Sequence, residues 1–146
     1  MPSLTGLIEP DGPVVRLWVN VSSPRAAAMK AANQPVPTSV LIREIIDTGA
    51  SATVIDEDTI LGLGLIPTGS VHIHTPSTGS TPQVCNQYDV SLWYYVPPSN
   101  HLLTAALAII ATDLTSQNIQ ALIGRDLLSR CTLIYNGPQN SFLMSF

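Results

Sequence analysis

The sequence predicts a single all-β domain with one or two short helices. Runs rich in β-branched and aromatic residues alternate with segments rich in proline, glycine and small polar residues, which is the pattern of strands joined by turns. Helix signals are confined to two short stretches, residues 57–61 and 125–130. A chain of 146 residues suits one domain, which buries roughly two thirds of its unfolded surface.

The composition excludes several classes of partner. Charged residues make up only 11% of the chain and the net charge is −4, so there is no basic patch for nucleic acid and no polybasic membrane anchor. The 45% share of hydrophobic residues fits either a compact β domain or an apolar surface that a partner covers. We recognise no secretory signal and no apolar run of the roughly 20 residues that span a membrane, so we expect a cytoplasmic protein.

The first half of the chain predicts three strands around a long connection. Residues 13–21, 39–46 and 54–55 are rich in β-branched side chains, and Arg43 and Glu44 are expected at an exposed rim of the second strand. The connection at 23–37 holds three prolines and an alanine-rich middle, so we expect an irregular insertion loop with room for a helical turn at 26–32.

A short helix and a hairpin follow. Asp56 is placed to cap a helix at 57–61, which the glycines at 62 and 64 end. Residues 70–96 then predict a hairpin of two strands, 70–74 and 84–96, joined by a loop of small polar residues. His72 and His74 lie on one face of the first strand, but no third ligand is near them, so we expect surface histidines and no metal site.

The second half predicts a buried strand, a short helix and a terminal hairpin. Residues 102–111 are almost wholly apolar and fit a deeply buried central strand, and residues 119–123 lead to a helix at 125–130. Residues 131–146 form a hairpin that ends in bare apolar side chains, an edge that invites association. Cys85 and Cys131 are expected to be buried thiols, with a disulfide as the alternative.

The most informative stretch is Asp47-Thr48-Gly49-Ala50-Ser51, which follows the apolar residues Ile45 and Ile46. Gly49 permits backbone conformations that a side chain would block, and the Thr48 and Ser51 hydroxyls can hydrogen-bond the loop and hold it still. A loop of this composition at a strand end can present Asp47 for chemistry. The alternative is a plain Asx turn.

This stretch, with Thr53-Val54-Ile55 after it, resembles the active-site loop of aspartic proteases. A second stretch, residues 121–128 (Ala-Leu-Ile-Gly-Arg-Asp-Leu-Leu), resembles the apolar-apolar-Gly segment and following helix of the retropepsin-like, single-domain proteases of the retroviral type. The two stretches occur in the expected order. The resemblance runs from about Gly12 to the C-terminus and implies a closed barrel and an aspartic endopeptidase, and we expect a single domain of residues 1–146.

The resemblance also implies a role for each part of the site. Asp47 would be the catalytic residue of a homodimer that joins two copies of it, acting on peptide or protein substrates without a metal or an organic cofactor. Thr48, Gly49, Ala50 and Ser51 would support the loop, and the terminal hairpin at 131–146 would join the subunits. Walls of the cleft would be Leu122, Ile123 and Gly124, and the flap would consist of Thr75, Pro76, Ser77, Thr78, Gly79, Ser80 and Thr81.

One departure from the pattern concerns Arg125. In many viral relatives this arginine pairs with an acid at the position of Ser51, so here Glu44, Asp126 or an acid of the partner chain is left to pair with it. Asp126 is otherwise expected to favour the start of the helix. A second function class also stays open, a catalytically silent domain of the same fold that binds peptides or dimerises.

Overall fold

The computed structural model describes residues 2–74 and 79–146. Its elements are, in chain order, β1 (Ser3–Glu9), β2 (Gly12–Val21), α1 (Ser23–Ala31), β3 (Val40–Ile46), β4 (Val54–Asp56), α2 (Glu57–Gly62), β5 (Gly69–Ile73), β6 (Gln83–Val96), β7 (Ser99–Thr112), a 3-10 turn (Thr115–Gln117), β8 (Ala121–Ile123), α3 (Arg125–Leu128), β9 (Thr132–Asn136) and β10 (Ser141–Ser145).

Six of the strands close into a barrel. The order of hydrogen-bonded neighbours is β6, β7, β4, β8, β3 and β2, and β2 pairs back onto β6. The pairs are antiparallel except β3 with β8 and β4 with β7, which are parallel. A closed sheet in which alternate side chains point inward can fill its interior with apolar groups, which explains why the predicted strands are so rich in valine, isoleucine and leucine.

The barrel interior is packed with apolar side chains. Each of the largest buried ones is 0 to 1% exposed and stabilises the fold by roughly 1.5–3 kcal/mol relative to an exposed position. They come from several different strands of the barrel, so the core depends on barrel closure. Examples are Leu17, Ile42, Ile55, Leu92, Ile109 and Ile123.

The terminal strands form a sheet that extends the barrel wall. β10 is hydrogen-bonded to β1 on one side and to β9 on the other, and its side chains Phe142 and Met144 are buried. The predicted hairpin is confirmed, but the expectation of an unpaired apolar end is wrong because the N-terminal strand of the same chain covers it. The free edge belongs to β9, where Ile134 is 55% and Tyr135 is 59% exposed.

The helices differ from the prediction. The described residues hold three short α-helices instead of one or two, because residues 23–31 of the expected irregular loop form α1. Ser22 caps this helix by accepting a hydrogen bond from the Arg25 amide at 3.4 Å, and Pro24 lies in its first turn, where proline is tolerated. Asp56 does not cap α2 with its side chain. Its Oδ1 accepts a hydrogen bond from the Leu114 amide at 2.8 Å.

Burial is less uniform along β7 than predicted. Ile109, Ile110 and Ala111 are buried, whereas Leu102 is 43% exposed. In the first part of β7, Thr104 is buried and Leu103 and Leu107 pack only partly buried against the core, so the fully buried apolar side chains are confined to the second part. Both cysteines are free thiols, as expected, but only Cys85 is buried, whereas Cys131 is half-buried.

The hairpin of β5 and β6 is confirmed by antiparallel pairing from Gly69 with Gln87 to Ile73 with Gln83. Among the predicted flap residues, Gly79, Ser80 and Thr81 are exposed, and Gly79 has a φ of +59°. Thr75, Pro76, Ser77 and Thr78 lie outside the described residues. No helix in the described parts of the chain is long and apolar enough to span a membrane.

Candidate active site

Asp47 lies directly after β3, where the strand ends beside β8. Its amide donates a hydrogen bond to the Ile123 carbonyl oxygen at 2.9 Å, which continues the parallel pairing of the two strands by one residue. The residue is half-buried. A carboxylate in this position is anchored through its backbone and still reachable by a substrate.

The loop after Asp47 turns tightly around the carboxylate. The Gly49 amide donates a hydrogen bond to Asp47 Oδ1 at 2.8 Å, and the Ala50 amide donates to the Asp47 carbonyl oxygen at 3.2 Å. A side chain at position 49 would place its Cβ 3.1 Å from Oδ1. Glycine therefore leaves space beside the carboxylate. Thr48, Gly49 and Ser51 are exposed, as loop residues facing a substrate or a partner would be.

Arg125 holds this loop from the opposite side. Its amide donates to the Ala50 carbonyl oxygen at 2.9 Å, and its Nη1 donates to the Thr48 carbonyl oxygen at 3.1 Å. Neither Glu44 nor Asp126 pairs with the guanidinium. The prediction that one of these acids is the partner of Arg125 is therefore wrong, and backbone carbonyl oxygens take that place. This difference follows from Ser51, since no acid stands where the ion pair of the resemblance would need one.

A buried hydrogen-bond cluster connects the loop to α3. The Thr53 side chain is fully buried, and its hydroxyl donates to Asp126 Oδ1 at 2.7 Å and accepts from the Gly124 amide at 3.2 Å. The Thr53 amide donates to the other oxygen of Asp126 at 2.9 Å. Asp126 therefore does more than favour the start of the helix. The sequence analysis missed this contact, because residues 53 and 126 are brought together only by the pairing of β4 with β8.

Asp47 opens into a cavity of about 450 Å³, a volume within the range of small ligand sites. Leu122 is in its wall, as predicted. Ile123 and Gly124 are buried, so the prediction that they line the cleft is corrected. Gly124 instead allows close packing, since a Cβ there would lie 2.4 Å from the backbone carbon of Ala52. The full lining comprises Asp11, Gly12, Pro13, Ile45, Ile46, Asp47, Gln117, Ile119 and Leu122.

A second carboxylate, Asp11, stands at the mouth of this cavity. The Arg43 guanidinium forms two hydrogen bonds to it, each 3.0 Å long, and also pairs with Glu9. The hydrogen bond from Arg43 lowers the pKa of Asp11 below its usual range. Asp11 therefore carries a negative charge beside the cavity even in mildly acidic solution. Sequence reasoning did not single it out, and only the register of β2 with β3 brings Arg43 near it.

A further acidic residue, Glu44, lies three positions before Asp47 on β3. It was expected at an exposed rim, but it is fully buried, and both carboxylate oxygens lack a hydrogen-bond partner among the described residues. It lies between Ile42 and Ile46 on the inward side of β3, opposite Val15 of β2 and Ala121 of β8. Burial raises the pKa of Glu44 well above its usual range.

No group of three or more histidine, cysteine, aspartate or glutamate side chains within residues 2–74 and 79–146 is arranged to hold a metal ion. His72 and His74 are both exposed on β5 and its end. Asp47 itself presents a carboxylate in a polar loop beside an apolar wall.

Comparison with solved structures identifies the fold. The chain aligns with a retropepsin-like aspartic protease from Rickettsia conorii over 98% of its own length and 90% of that chain, with a TM-score of 0.58 and 16% identity. A weaker alignment is with the retroviral protease-like domain of Ddi1 from Leishmania major, with a TM-score of 0.45 and 13% identity, over 88% of this chain and 86% of that one. Another is with the foamy viral protease-reverse transcriptase in complex with an RNA/DNA hybrid, with a TM-score of 0.46 and 15% identity, over 80% of this chain and 12% of that one. The sequence matches no protein-family profile and no curated protein.

The chain thus has the fold of the retropepsin-like aspartic proteases, as the resemblance in the sequence implies. The structural alignment, with a TM-score of 0.58, shows the architecture, whereas the identity of 16% leaves the chemistry to be argued from the residues of this chain. Those residues are an accessible Asp47, a glycine that leaves its carboxylate free, and a loop held on both sides by hydrogen bonds.

Proposed function

We propose that this chain is one subunit of a homodimeric aspartic endopeptidase whose catalytic residue is Asp47. The observation that carries the proposal is the half-exposed Asp47 carboxylate, held by the Gly49 amide at 2.8 Å and opening into a cavity with apolar walls. A carboxylate kept free of side-chain partners and immobilised in this way is prepared for chemistry. A cavity that mixes apolar walls with a few polar groups is compatible with a peptide, which carries apolar side chains on a polar backbone.

Two copies of the chain are needed because the sequence contains Asp-Thr-Gly only once. Aspartic protease chemistry uses two carboxylates about 3 Å apart, and two such groups cannot both be ionised. In a twofold dimer, Asp47 and its symmetry mate would share one proton.

Because the two carboxylates share one proton, one of them acts as a base and the other as a hydrogen-bond donor. The ionised carboxylate takes a proton from a water molecule as its oxygen attacks the peptide carbonyl carbon. The protonated carboxylate donates a hydrogen bond to the carbonyl oxygen as negative charge develops there. The proton that the first carboxylate took from water then passes to the amide nitrogen, the carbon–nitrogen bond breaks as the carbonyl re-forms, and the dyad again holds one shared proton. Leu122 and Ile119 favour apolar side chains next to the bond that is cut.

The surface for the second copy is the terminal hairpin at 131–146. Since β10 is paired on both sides within the chain, the backbone groups left for a partner are those of β9. This strand carries no charge and exposes Ile134 and Tyr135. An unprotected apolar edge favours pairing with another strand.

The test is cleavage of a complex peptide mixture by the purified protein, from mildly acidic to neutral pH. Asp47→Asn removes the ionisable group and keeps the shape of the side chain, so we expect it to abolish cleavage without changing the oligomeric state. Asp58→Asn, which removes a carboxylate exposed on α2, is the matched control and should cleave like the unaltered protein.

Two results would overturn the proposal. One is cleavage by Asp47→Asn at the rate of the unaltered protein, which would point to a contaminant or to another site. The other is the absence of cleavage by a folded dimer over the whole pH range. Peptide capture without cleavage would then favour the silent binding domain.

A further inference from the structure

An apolar row crosses the outer wall of the barrel far from Asp47. Leu17 and Val19 point into the core, so Trp18 between them points outward. Strand register places four apolar residues side by side across neighbouring strands, and the two at the ends of the row are 45% and 43% exposed. In order across β3, β2, β6 and β7, these are Leu41, Trp18, Trp93 and Leu102.

The centre of this row is a pocket of about 670 Å³. Three aromatic side chains, Trp18, Trp93 and Tyr95, form its apolar part. Thr38, Ser39 and Asn100 complete the lining. Leu41, the strand partner of Trp18, precedes Asp47 by six residues of extended chain, a separation of roughly 20 Å. The aromatic pocket therefore lies outside the candidate active site.

The walls of the aromatic pocket are held in place by hydrogen bonds behind them. Trp93 Nε1 donates to Ser91 Oγ at 3.1 Å, and this hydroxyl, buried at 2% exposure, donates to the Val21 carbonyl oxygen at 2.8 Å. Asn20 Nδ2 donates to the Pro37 carbonyl oxygen and to Ser39 Oγ, both at 2.9 Å. A pocket whose walls are already ordered loses little entropy when a ligand binds.

The chemistry of the lining defines the ligand. None of the six residues is charged, so a charged ligand would lose hydration without gaining an ion pair, and an uncharged ligand is favoured. The Trp93 indole offers its carbon face, because its N–H is already bonded to Ser91. The hydroxyl and carboxamide groups of Tyr95, Thr38 and Asn100 can donate hydrogen bonds to carbonyl oxygens at the rim.

We propose that the aromatic pocket binds an uncharged, proline-rich peptide segment in the polyproline II conformation. Such a segment presents apolar rings to aromatic grooves and solvated carbonyl oxygens to donors, and it has little conformational freedom to lose. Proline lacks an N–H group, so the ligand demands few acceptors from the pocket. This binding site goes beyond the proposed protease function and does not depend on it.

The two tryptophans of the chain are Trp18 and Trp93, so tryptophan fluorescence reports on this pocket alone. The probe is an oligoproline peptide with blocked ends, titrated into the Asp47→Asn protein so that cleavage does not interfere. We expect a saturable change in emission. Tyr95→Ala, at a position 55% exposed, should weaken binding about tenfold or more while the circular dichroism spectrum is unchanged.

Leu61→Ala is the matched control, because Leu61 is 60% exposed on α2 and should leave oligoproline affinity unchanged. No saturable emission change with oligoproline would overturn the proposal. Equal affinity of the Tyr95→Ala and Leu61→Ala proteins would do so as well. A saturable response to a neutral oligosaccharide in place of the peptide would reassign the pocket to sugar rings. Loss of proteolysis has no bearing on this assay, so failure of either proposal is distinguishable from failure of the other.

Discussion

The hydroxyl of Thr53 is fully buried and shares hydrogen bonds with the Asp126 carboxylate and the Gly124 amide. These groups connect the end of the Asp47 loop to α3. A buried donor or acceptor that loses its partner costs about 1–3 kcal/mol. The position of the Asp47 loop therefore depends on a hydroxyl that does not line the cavity.

Thr53→Val tests this dependence. Valine has nearly the same shape but cannot donate to Asp126, so the free energy of unfolding should fall by about 1–3 kcal/mol in a urea titration. Thr53→Ser is the complementary variant, because it keeps the hydroxyl and removes the methyl group. The cluster would be unimportant if the valine protein were at least as stable as the serine protein.

Glu44 introduces a pH dependence of a different kind. Its folded-state pKa is raised because the carboxyl is buried without a partner, so the folded chain keeps a proton that the unfolded chain releases above about pH 4.5. The contribution of Glu44 to stability is therefore greatest at acidic pH. From about pH 4.5 up to the raised folded-state pKa, this contribution should fall by about 1.4 kcal/mol per pH unit.

Glu44→Gln should remove that contribution, because glutamine has the same shape and does not ionise. The unfolding free energy of this variant should lie above that of the unaltered protein at neutral pH, and the difference should vanish toward pH 4.5. Chemical unfolding at a series of pH values measures both. Parallel pH profiles for the two proteins would show that the carboxyl is solvated and not buried.

At the scale of elements, the contact between the Asp47 loop and the start of α3 depends on Gly124. A Cβ on this residue would lie 2.4 Å from the Ala52 carbon, far inside van der Waals contact. The neighbouring atom belongs to the backbone, so it can move only if the loop moves. Because the same loop carries Asp47, its displacement would reach the carboxylate.

Gly124→Ala should therefore destabilise the fold by about 1–3 kcal/mol and reduce peptide cleavage more than stability alone explains. Gly62→Ala is the matched control, since nothing lies within 4 Å of its added Cβ and alanine favours a helix. The two variants can be compared by thermal unfolding and by cleavage of one peptide. Equal behaviour would contradict the close packing of Gly124.

At the scale of the whole molecule, the proposed enzyme would be active only as a dimer. The single Asp-Thr-Gly makes activity depend on protein concentration, because a monomer holds one catalytic carboxylate. The free edge of β9 offers the apolar surface for association.

Ile134→Lys should weaken that association. Ile134 is 55% exposed in the monomer, so the lysine is compatible with folding, but it places like charges together when two β9 strands meet. We expect the dimer fraction in sedimentation velocity and the cleavage rate to fall together. Leu61→Lys, at 60% exposure on α2, adds the same charge elsewhere and should change neither. Full activity in a monomeric Ile134→Lys protein would refute the shared dyad.

Local signals predicted most of the strands, but β1 (Ser3–Glu9) was missed. The β-branched runs at 13–21 and 39–46 became β2 and β3, because such residues fit the pleated, half-buried surface of a sheet wherever it lies. Helix α1 was predicted only as a turn within an irregular loop. It forms although none of its residues is buried, so no apolar period marked it, and its signals were the Ser22 cap, the proline and the alanines.

The sequence by itself determined where the strands run and that Asp47 ends one of them in a loop kept open by Gly49. These features depend on neighbours along the chain. Only the tertiary structure decided that Thr53 bonds Asp126, 73 residues away, that Arg43 reaches Asp11, and that Glu44 is buried. Such contacts depend on which strands pair and in which register. The alternation of side chains along one strand specifies neither which strand lies beside it nor which of its faces points into the barrel.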